Sequence, residues 1–260
     1  MSKYIIEGGH PLSGQVSILG AKNAALKIIP AAILGSSPSK IFNVPKIGDI
    51  EKIEQIIQLI GATVSVEENT VTIDPTTINS TVLDHNLTKK LRGSIVLVGP
   101  MLAKFGEVSF AQPGGCLIGA RPIDTHLDIF SQFGIKIEED GDTYKLTGKP
   151  VASHIVLSEM SVTATENAIM TAVFAEGTTT IEVAAAEPEI GDLIDFLVSM
   201  GANISGKNTH TITMEGVSTL NGTEHHIIPD RVEAGTYLIA ALATNSEIKI
   251  INTRPDHLSL

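Results

Sequence analysis

The sequence predicts an α/β fold built from repeated helix-strand-helix-strand-strand units with the helices in the core. One observation is a motif that occurs three times: Pro-Lys-Ile-Gly-Asp at 45–49, Pro-Ile-Asp at 122–124 and Pro-Glu-Ile-Gly-Asp at 188–192. A second is that each copy leads into a helical pattern that ends in Gly-Ala or Gly-Ile, and then into two short alternating strands. The copies begin at residues 45, 122 and 188, and a spacing this wide suits a block of several elements rather than a short solenoid unit.

The helix predicted at 49–60 shows why such units must pack together. Its isoleucines at 53, 56, 57 and 60 fall at i, i+3, i+4 and i+7 and form one apolar stripe. One such helix cannot bury its stripe alone. Three copies that turn their helices inward, with their sheets outside, would bury all of them in one core.

The remaining elements are taken in order along the chain. A strand at 15–19 comes first. Each unit contains, in addition to the helix after its Pro motif, another apolar helix and a strand that precede the motif. The predicted helices of this kind lie at 23–34, 88–104 and 165–176, and their strands at 40–44, 107–111 and 179–184. The strand pairs that end the units lie at 64–73, 136–146 and 204–214, and each closing strand runs into the next unit.

A fourth unit begins near the end of the sequence. It contains a helix at 231–243, a strand at 247–252 and Pro255, where the next helix should start. We therefore expect this chain to be a fragment of a longer protein. The alternative is a shorter natural relative whose last strand pairs with a strand at 1–6.

Composition excludes several classes of function. The chain is 43% apolar and 18% charged, which is typical of a well-packed globular protein. Its net charge of −11, without a basic run, argues against nucleic-acid and membrane binding. No signal peptide or membrane span is evident, so we expect a cytoplasmic protein. The single cysteine and the eight histidines show no zinc-site spacing, and no metal site is expected.

Lys22 is the first candidate binding residue. It lies in Gly-Ala-Lys-Asn at 20–23, between a predicted strand and a predicted helix. Such a junction presents free backbone N–H groups and the positive end of the helix dipole, so a lysine there suits an anion. A plain surface lysine beside a glycine turn is the alternative.

Cys116 is the strongest candidate for chemistry. It comes directly after Pro-Gly-Gly in a loop at about 112–121, whereas a structural cysteine usually occupies an apolar position in a helix or strand. An exposed thiol brings no packing benefit, which favours reactivity. A structural cysteine remains the alternative.

Three further groups lie at predicted helix starts. Arg121 precedes Pro122, a residue favoured at the first helical position, and would present its guanidinium to a phosphate or carboxylate there. Arg92 is a similar cation, although, taken alone, it is better explained as a solvated charge in a basic cluster. The polar run that begins at Ser161 is explained by helix capping without any ligand.

Taken together, three segments resemble the enolpyruvyl transferases. They are Gly-Ala-Lys-Asn-Ala-Ala-Leu at 20–26, Pro-Gly-Gly-Cys-Leu-Ile-Gly-Ala-Arg-Pro at 113–122 and Pro-Asp-Arg at 229–231, and the likeness extends over the whole chain. The resemblance implies an inside-out α/β barrel, with residues 21–229 as a complete three-unit domain that carries the cysteine loop. Residues 1–20 and 230–260 would then form an incomplete part of a discontinuous second domain.

The resemblance also implies a reaction. The most similar family members transfer the enolpyruvyl group of phosphoenolpyruvate to the 3-hydroxyl of UDP-N-acetylglucosamine and release phosphate. This is the first committed step of peptidoglycan synthesis, and so belongs to cell-wall biogenesis, cell shape and the cell cycle. No metal or organic cofactor takes part.

Site residues are matched by position within the same resemblance. Lys22, Asn23 and Arg121 match phosphoenolpyruvate contacts, and Cys116 matches a proton donor that also forms covalent adducts. His126 falls at a family histidine position. The contacts to UDP-N-acetylglucosamine are matched by Arg92, Arg121, Pro122, Ile123, Asp124, Thr125, Ser161 and Val162.

Two departures from the family pattern bear on function. Glu159 stands where some members carry a lysine near the uridine diphosphate, and Thr163 replaces a glycine.

The family's aspartate base and a phosphoenolpyruvate-binding arginine would lie beyond Leu260, in a missing C-terminal portion. The chain alone is therefore expected to behave as a non-catalytic ligand-binding fragment of the enzyme. A shikimate-pathway enolpyruvyl transferase is the other alternative.

Overall fold

Three small β-sheets surround a group of helices. The computed structural model describes residues 3–114 and 122–259. The helices are α1 (Lys22–Ala31), α2 (Gly48–Leu59), α3 (His85–Thr88), α4 (Val98–Phe105), α5 (Asp124–Gln132), α6 (Val162–Ala172), α7 (Pro188–Met200) and α8 (Arg231–Ala243). Short 3₁₀ segments cover Ala32–Leu34, Arg92–Leu97 and Pro255–Leu258.

Thirteen strands are found in the described residues. They are β1 (Ser13–Ser17), β2 (Ser39–Phe42), β3 (Thr63–Glu67), β4 (Thr70–Asp74), β5 (Glu107–Ala111), β6 (Lys136–Asp140), β7 (Thr143–Thr147), β8 (His154–Val156), β9 (Thr178–Glu182), β10 (Asn203–Ser205), β11 (Thr211–Glu215), β12 (Glu224–His226) and β13 (Glu247–Ile251).

The three sheets around the helices share one topology, as the repeat predicts, while β1 and β13 form a separate two-stranded sheet. In each unit the third strand lies in the centre and pairs antiparallel with both the first and the second strand. The resulting orders are β2-β4-β3, β5-β7-β6 and β9-β11-β10. A further strand joins parallel from the preceding unit: β8 pairs with β9, and β12 returns to pair with β2. The pairing of β12 with β2 closes the three units into a ring.

The helices lie inside this ring, which confirms the predicted arrangement. Every residue of α1 from Ala24 onward and every residue of α6 from Ala164 onward is buried. The stripe predicted for α2 is also buried, since Ile53, Ile56 and Ile57 have no exposed surface. Burying these faces against one another supplies the main hydrophobic stabilisation of the domain.

The single helix predicted at 88–104 is wrong. The structure divides this stretch into α3, the 3₁₀ segment Arg92–Leu97 and α4. Leu91 has an extended backbone (φ −135°, ψ 104°), and the Ser94 hydroxyl donates to the Leu91 carbonyl at 2.7 Å. A serine that bonds locally to the main chain competes with continuous helix formation.

Two boundaries also differ from expectation. The alternative in which the last strand pairs with residues 1–6 is wrong, because β13 pairs parallel with β1 while residues 4–6 are almost fully exposed. Pro122 is not the first helical residue, since α5 begins at Asp124.

Within the two described ranges, no helix has the length and apolar character needed to cross a bilayer.

Candidate functional site

A cleft of about 420 Å³ opens where three helical segments begin: the 3₁₀ segment Arg92–Leu97, α5 and α6. It contains four of the residues predicted from sequence, which the chain brings together from three distant segments. The residues that line it are Arg92, Gly93, Ile95, Pro122, Thr125, His126, Glu159, Ser161 and Thr163.

Arg92 joins two walls of this cleft. Its guanidinium donates to the Pro122 carbonyl at 3.1 Å, so the cation is held against the segment that leads into α5. Ile123 is buried and anchors that segment, while Asp124 is exposed in the first turn of α5, where a carboxylate suits the helix dipole. Pro122 and Asp124 are thus positioned mainly by local structure.

Ser161 caps α6, as the sequence predicts. Its hydroxyl oxygen accepts from the Ala164 N–H at 3.4 Å, and Val162, the first helical residue, is half-buried. The cap leaves the first turn of α6 facing the cleft. Capping and ligand binding are therefore compatible at this position.

Glu159 gives the cleft a carboxylate. The Thr125 hydroxyl donates to Glu159 Oε1 at 3.3 Å, which ties the start of α5 to the segment before α6. The cleft thus contains both a guanidinium, from Arg92, and a carboxylate. A ligand that offers hydrogen-bond donors as well as anionic oxygens fits such a pair better than a purely anionic one.

His126 is the most perturbed titratable group of the cleft. Its side chain is buried in α5, with Thr163 Oγ1 3.2 Å from Nε2 and Asn167 Nδ2 2.9 Å from Nδ1. Burial, helped by the positive charges of Arg92 and Lys27, lowers the pKa of His126 to about 3. The imidazole is therefore neutral at physiological pH and cannot serve as a cationic contact there.

Lys22 and Asn23 lie at the start of α1 and do not line the cleft. Lys22 Nζ is 2.6 Å from Asp49 Oδ2, and this hydrogen bond lowers the pKa of Asp49. The sequence argument missed Asp49 as a partner of Lys22, although it ends the first Pro-Lys-Ile-Gly-Asp motif. Asn23 is exposed, and α1 runs beside the 3₁₀ segment that carries Arg92.

A close crossing of two chain segments fixes the start of α1. Gly20 pairs with Pro229, and a Cβ at Gly20 would lie 1.7 Å from the Asn43 carbonyl oxygen, so only glycine fits. Asp230 caps α8 and also accepts from the Lys22 N–H at 3.1 Å. The Pro-Asp-Arg segment at 229–231 therefore positions the backbone of Lys22.

The described part of the cysteine loop ends at Gly114. A Cβ there would lie 2.3 Å from the Lys89 carbonyl oxygen, so the loop leaves the domain in close contact with the end of α3. Lys89 also forms an ion pair with Asp142, whose carbonyl accepts from the Gln112 N–H. Cys116 and Arg121 lie outside the described residues.

Comparison with known sequences identifies the relationship. The family model for EPSP synthase (3-phosphoshikimate 1-carboxyvinyltransferase) matches residues 6–259. Curated relatives named UDP-N-acetylglucosamine 1-carboxyvinyltransferase include those of Halothermothrix orenii, 45% identical over 99% of this chain, and Actinobacillus succinogenes, 46% identical over 99%. The chain spans only 62% of the length of each.

Solved structures give the same fold. The enolpyruvyl transferase NikO from Streptomyces tendae is 24% identical, with a TM-score of 0.79, and the match covers 90% of this chain and 56% of NikO. EPSP synthase from Acinetobacter baumannii is 16% identical, with a TM-score of 0.71 over 94% of this chain and 56% of its own. These matches confirm the predicted inside-out barrel. The chain belongs to the EPSP synthase family, the enolpyruvyl transferases.

Proposed function

We propose that this chain is the substrate-binding part of a carboxyvinyltransferase that moves the enolpyruvyl group of phosphoenolpyruvate to the 3-hydroxyl of UDP-N-acetylglucosamine. The observation that carries the proposal is the convergence of Arg92, Pro122, Thr125 and Ser161 on one cleft. The names of the relatives, at 43–46% identity over 97–99% of the chain, support the same reaction.

In this proposal Lys22, Asn23 and Arg121 bind the anionic groups of phosphoenolpyruvate. Asp49 holds the Lys22 ammonium at the start of α1, where the helix dipole adds favourable potential for an anion. Arg92, with residues 121–125, Ser161 and Val162, binds the sugar nucleotide. Glu159 accepts hydrogen bonds from N–H or O–H groups of the sugar nucleotide and does not contact its phosphate oxygens.

The proposed chemistry is an addition and then an elimination. The oxygen of the sugar 3-hydroxyl attacks C2 of phosphoenolpyruvate and passes its proton to the aspartate base that the resemblance places beyond Leu260. The Cys116 thiol delivers a proton to C3, which becomes a methyl group, and is left as a thiolate. Loss of a proton from that methyl group, with departure of phosphate, restores the double bond. A thiol with a pKa near its ordinary value of about 8.5 is mostly protonated at pH 7 and suits the first step.

We also propose the two-domain division, with residues 21–229 as one domain and residues 1–20 and 230–260 as part of a second. The exposed apolar face of α8 supports it, since Ile239 and Leu242 are 69% and 82% exposed. The portion that the relatives have beyond this chain's share would cover that face and complete the site. A cytoplasmic location, in which the Cys116 thiol stays reduced, completes the proposal.

The alternative favoured by the 61–62% coverage is that this chain binds ligand without turnover. Phosphate release from phosphoenolpyruvate and UDP-N-acetylglucosamine should be measured beside a full-length relative, with intact mass used to detect adducts on Cys116. We expect a phosphoenolpyruvate or epoxide-phosphonate adduct that Cys116→Ser abolishes, with little phosphate release. Release at the relative's rate would overturn the fragment alternative, and no adduct in a folded sample would overturn the role of Cys116.

A further inference from the structure

The buried amide of Asn167 sets a chain of hydrogen bonds that ends in the cleft. Asn167 Oδ1 accepts from the Gly99 N–H at 2.9 Å, and its Nδ2 donates to the Ile95 carbonyl at 3.0 Å. Exchanging the oxygen and nitrogen would place an N–H against an N–H and an oxygen against an oxygen. The two backbone groups therefore fix which way the amide points.

This orientation determines the tautomer of His126. The second hydrogen of Asn167 Nδ2 points to His126 Nδ1, 2.9 Å away, so Nδ1 must accept and carries no proton. Because the imidazole is neutral, its proton resides on Nε2. Protonating Nδ1 would require Asn167 to turn and leave two buried backbone groups unpaired, which agrees with the lowered pKa of His126.

The tautomer in turn orients Thr163. His126 Nε2–H donates to Thr163 Oγ1 at 3.2 Å, so the threonine hydroxyl cannot donate back to the ring. Across residues 3–114 and 122–259, the structure provides no acceptor for the hydroxyl hydrogen of Thr163. That residue lines the cleft in the first turn of α6, beside Ser161 and opposite the segment that carries Arg92.

We propose that Thr163 is a ligand-binding residue, whose hydroxyl donates to an acceptor oxygen of the sugar nucleotide and is aimed into the cleft by His126 and Asn167. His126 and Asn167 are positioning residues in this arrangement. The inference rests on the proposed function. It makes Thr163, where the resembling family has glycine, a determinant of how this chain recognises its ligand.

Gly99 supplies an independent sign that this arrangement is built into the packing. A Cβ at Gly99 would lie 2.8 Å from both Asn167 O and Asn167 Oδ1, and 3.1 Å from Thr171 Oγ1. Only glycine lets α4 approach α6 closely enough for the Gly99 N–H to reach the amide. The close approach of α4 to α6 therefore orients Asn167, Asn167 orients His126, and His126 orients Thr163.

The first test uses binding of UDP-N-acetylglucosamine to the 260-residue chain, measured by calorimetry. Thr163→Val removes the hydroxyl at nearly constant shape and should weaken binding about fivefold to tenfold. Thr163→Ser should restore it. Thr236→Val removes a comparable helical hydroxyl on α8, which bonds to the Val232 carbonyl, and should leave affinity unchanged.

Affinity of Thr163→Val within twofold of the parent chain would overturn the proposal while leaving the proposed function intact. A parent chain that fails to bind UDP-N-acetylglucosamine would instead overturn the proposed ligand, and the Thr163 contact with it. Equal melting temperatures of the Val and Ser variants separate a binding role from a structural one.

The second test needs no ligand. In ¹⁵N-histidine NMR, with the His126 signals assigned from their loss in His126→Gln, the ring should show a protonated Nε2 and an unprotonated Nδ1 throughout pH 5–8. A proton on Nδ1, or titration of His126 near pH 6.5, would overturn the orientation of the Thr163 hydroxyl.

Discussion

The burial of helices α6 and α8 is the reverse of what their composition predicts. The more polar α6 is largely buried, whereas the more apolar α8 is largely exposed. Four polar residues of α6 have no exposed surface: Thr165, Glu166, Asn167 and Thr171. The more apolar α8 buries only Ala234, whereas Leu242 is 82% exposed. Composition alone would assign α8 to the core and leave part of α6 in water.

The difference comes from the elements that surround each helix. α6 contacts α4, α5, α7 and the 3₁₀ segment Arg92–Leu97. Two of its polar residues meet partners from other units: Glu166 pairs with Lys27, and Asn167 bonds to the backbone of Ile95 and Gly99. α8 contacts β13 and the 3₁₀ segment Pro255–Leu258, and its first turn reaches α7 through the ion pair of Arg231 with Glu189. The apolar side chains further along α8, such as Leu242, remain exposed. Helix burial in this fold therefore depends on position in the ring, and the buried polar residues Glu166 and Asn167 lie where units join.

The largest effect is expected at the buried ion pair of α6. Lys27 Nζ is 2.8 Å from Glu166 Oε2, and both side chains are at most 5% exposed. Lys27→Met leaves a buried carboxyl without its cation and should lower the free energy of unfolding by about 3–5 kcal/mol in urea denaturation. The double variant Lys27→Met with Glu166→Leu should recover most of that loss.

A surface pair provides the control for this prediction. Lys207→Met breaks an exposed pair with Asp195 and should change the free energy of unfolding by no more than about 0.5 kcal/mol. Similar losses for Lys27→Met and Lys207→Met would contradict the claim that the partners of α6 determine its stability.

Truncation of apolar residues tests the same comparison directly. Ile169→Ala empties a fully buried position in α6 and should lower the free energy of unfolding by about 2–5 kcal/mol. Leu242→Ala on α8 should change it by no more than about 0.5 kcal/mol. Chemical denaturation of both variants measures the contrast, and a cost at Leu242 as large as that at Ile169 would show that α8 is packed.

The smallest expected effect is a pH dependence from Glu166. Burial raises the pKa of Glu166 to about 7, despite the opposing charge of Lys27. Between the ordinary carboxyl pKa and pH 7 the folded chain holds a proton that the unfolded chain has released. This contribution to the free energy of unfolding therefore falls as pH rises through that window, by at most about 1.4 kcal/mol per pH unit.

Glu166→Gln removes this dependence and leaves others unchanged. Burial and the neighbouring Glu51 also raise the pKa of Glu54 to about 7, but that group is present in both proteins and cancels in the difference. Urea denaturation at pH 5, 6, 7 and 8 should give a difference between the two proteins that changes up to pH 7 and then levels. Parallel curves would argue against the raised pKa.

Much of the fold could be predicted from sequence because the signals are local. The isoleucine stripe of α2, the hairpins after each Pro motif and the Ser161 cap depend on residues a few positions apart. Repetition of these signals predicted three equivalent units with their helices inside. The cleft residues Arg92, Pro122, Thr125 and Ser161 were also identified, although through resemblance rather than periodicity.

The features that the sequence did not reveal involve partners far apart in the chain. Nothing local indicates that Asn167 meets His126, that Glu159 accepts from Thr125, or that Asp49 holds Lys22.

The repeated unit, its number of copies and its hydrophobic faces could be predicted because they depend on residue spacing within each element. Long-range packing brings β12 back to β2, which closes the ring, and it places particular polar side chains together between units. A buried hydrogen bond forms only between atoms within about 3 Å of each other. That proximity is set by packing of whole units, and residue spacing does not encode it.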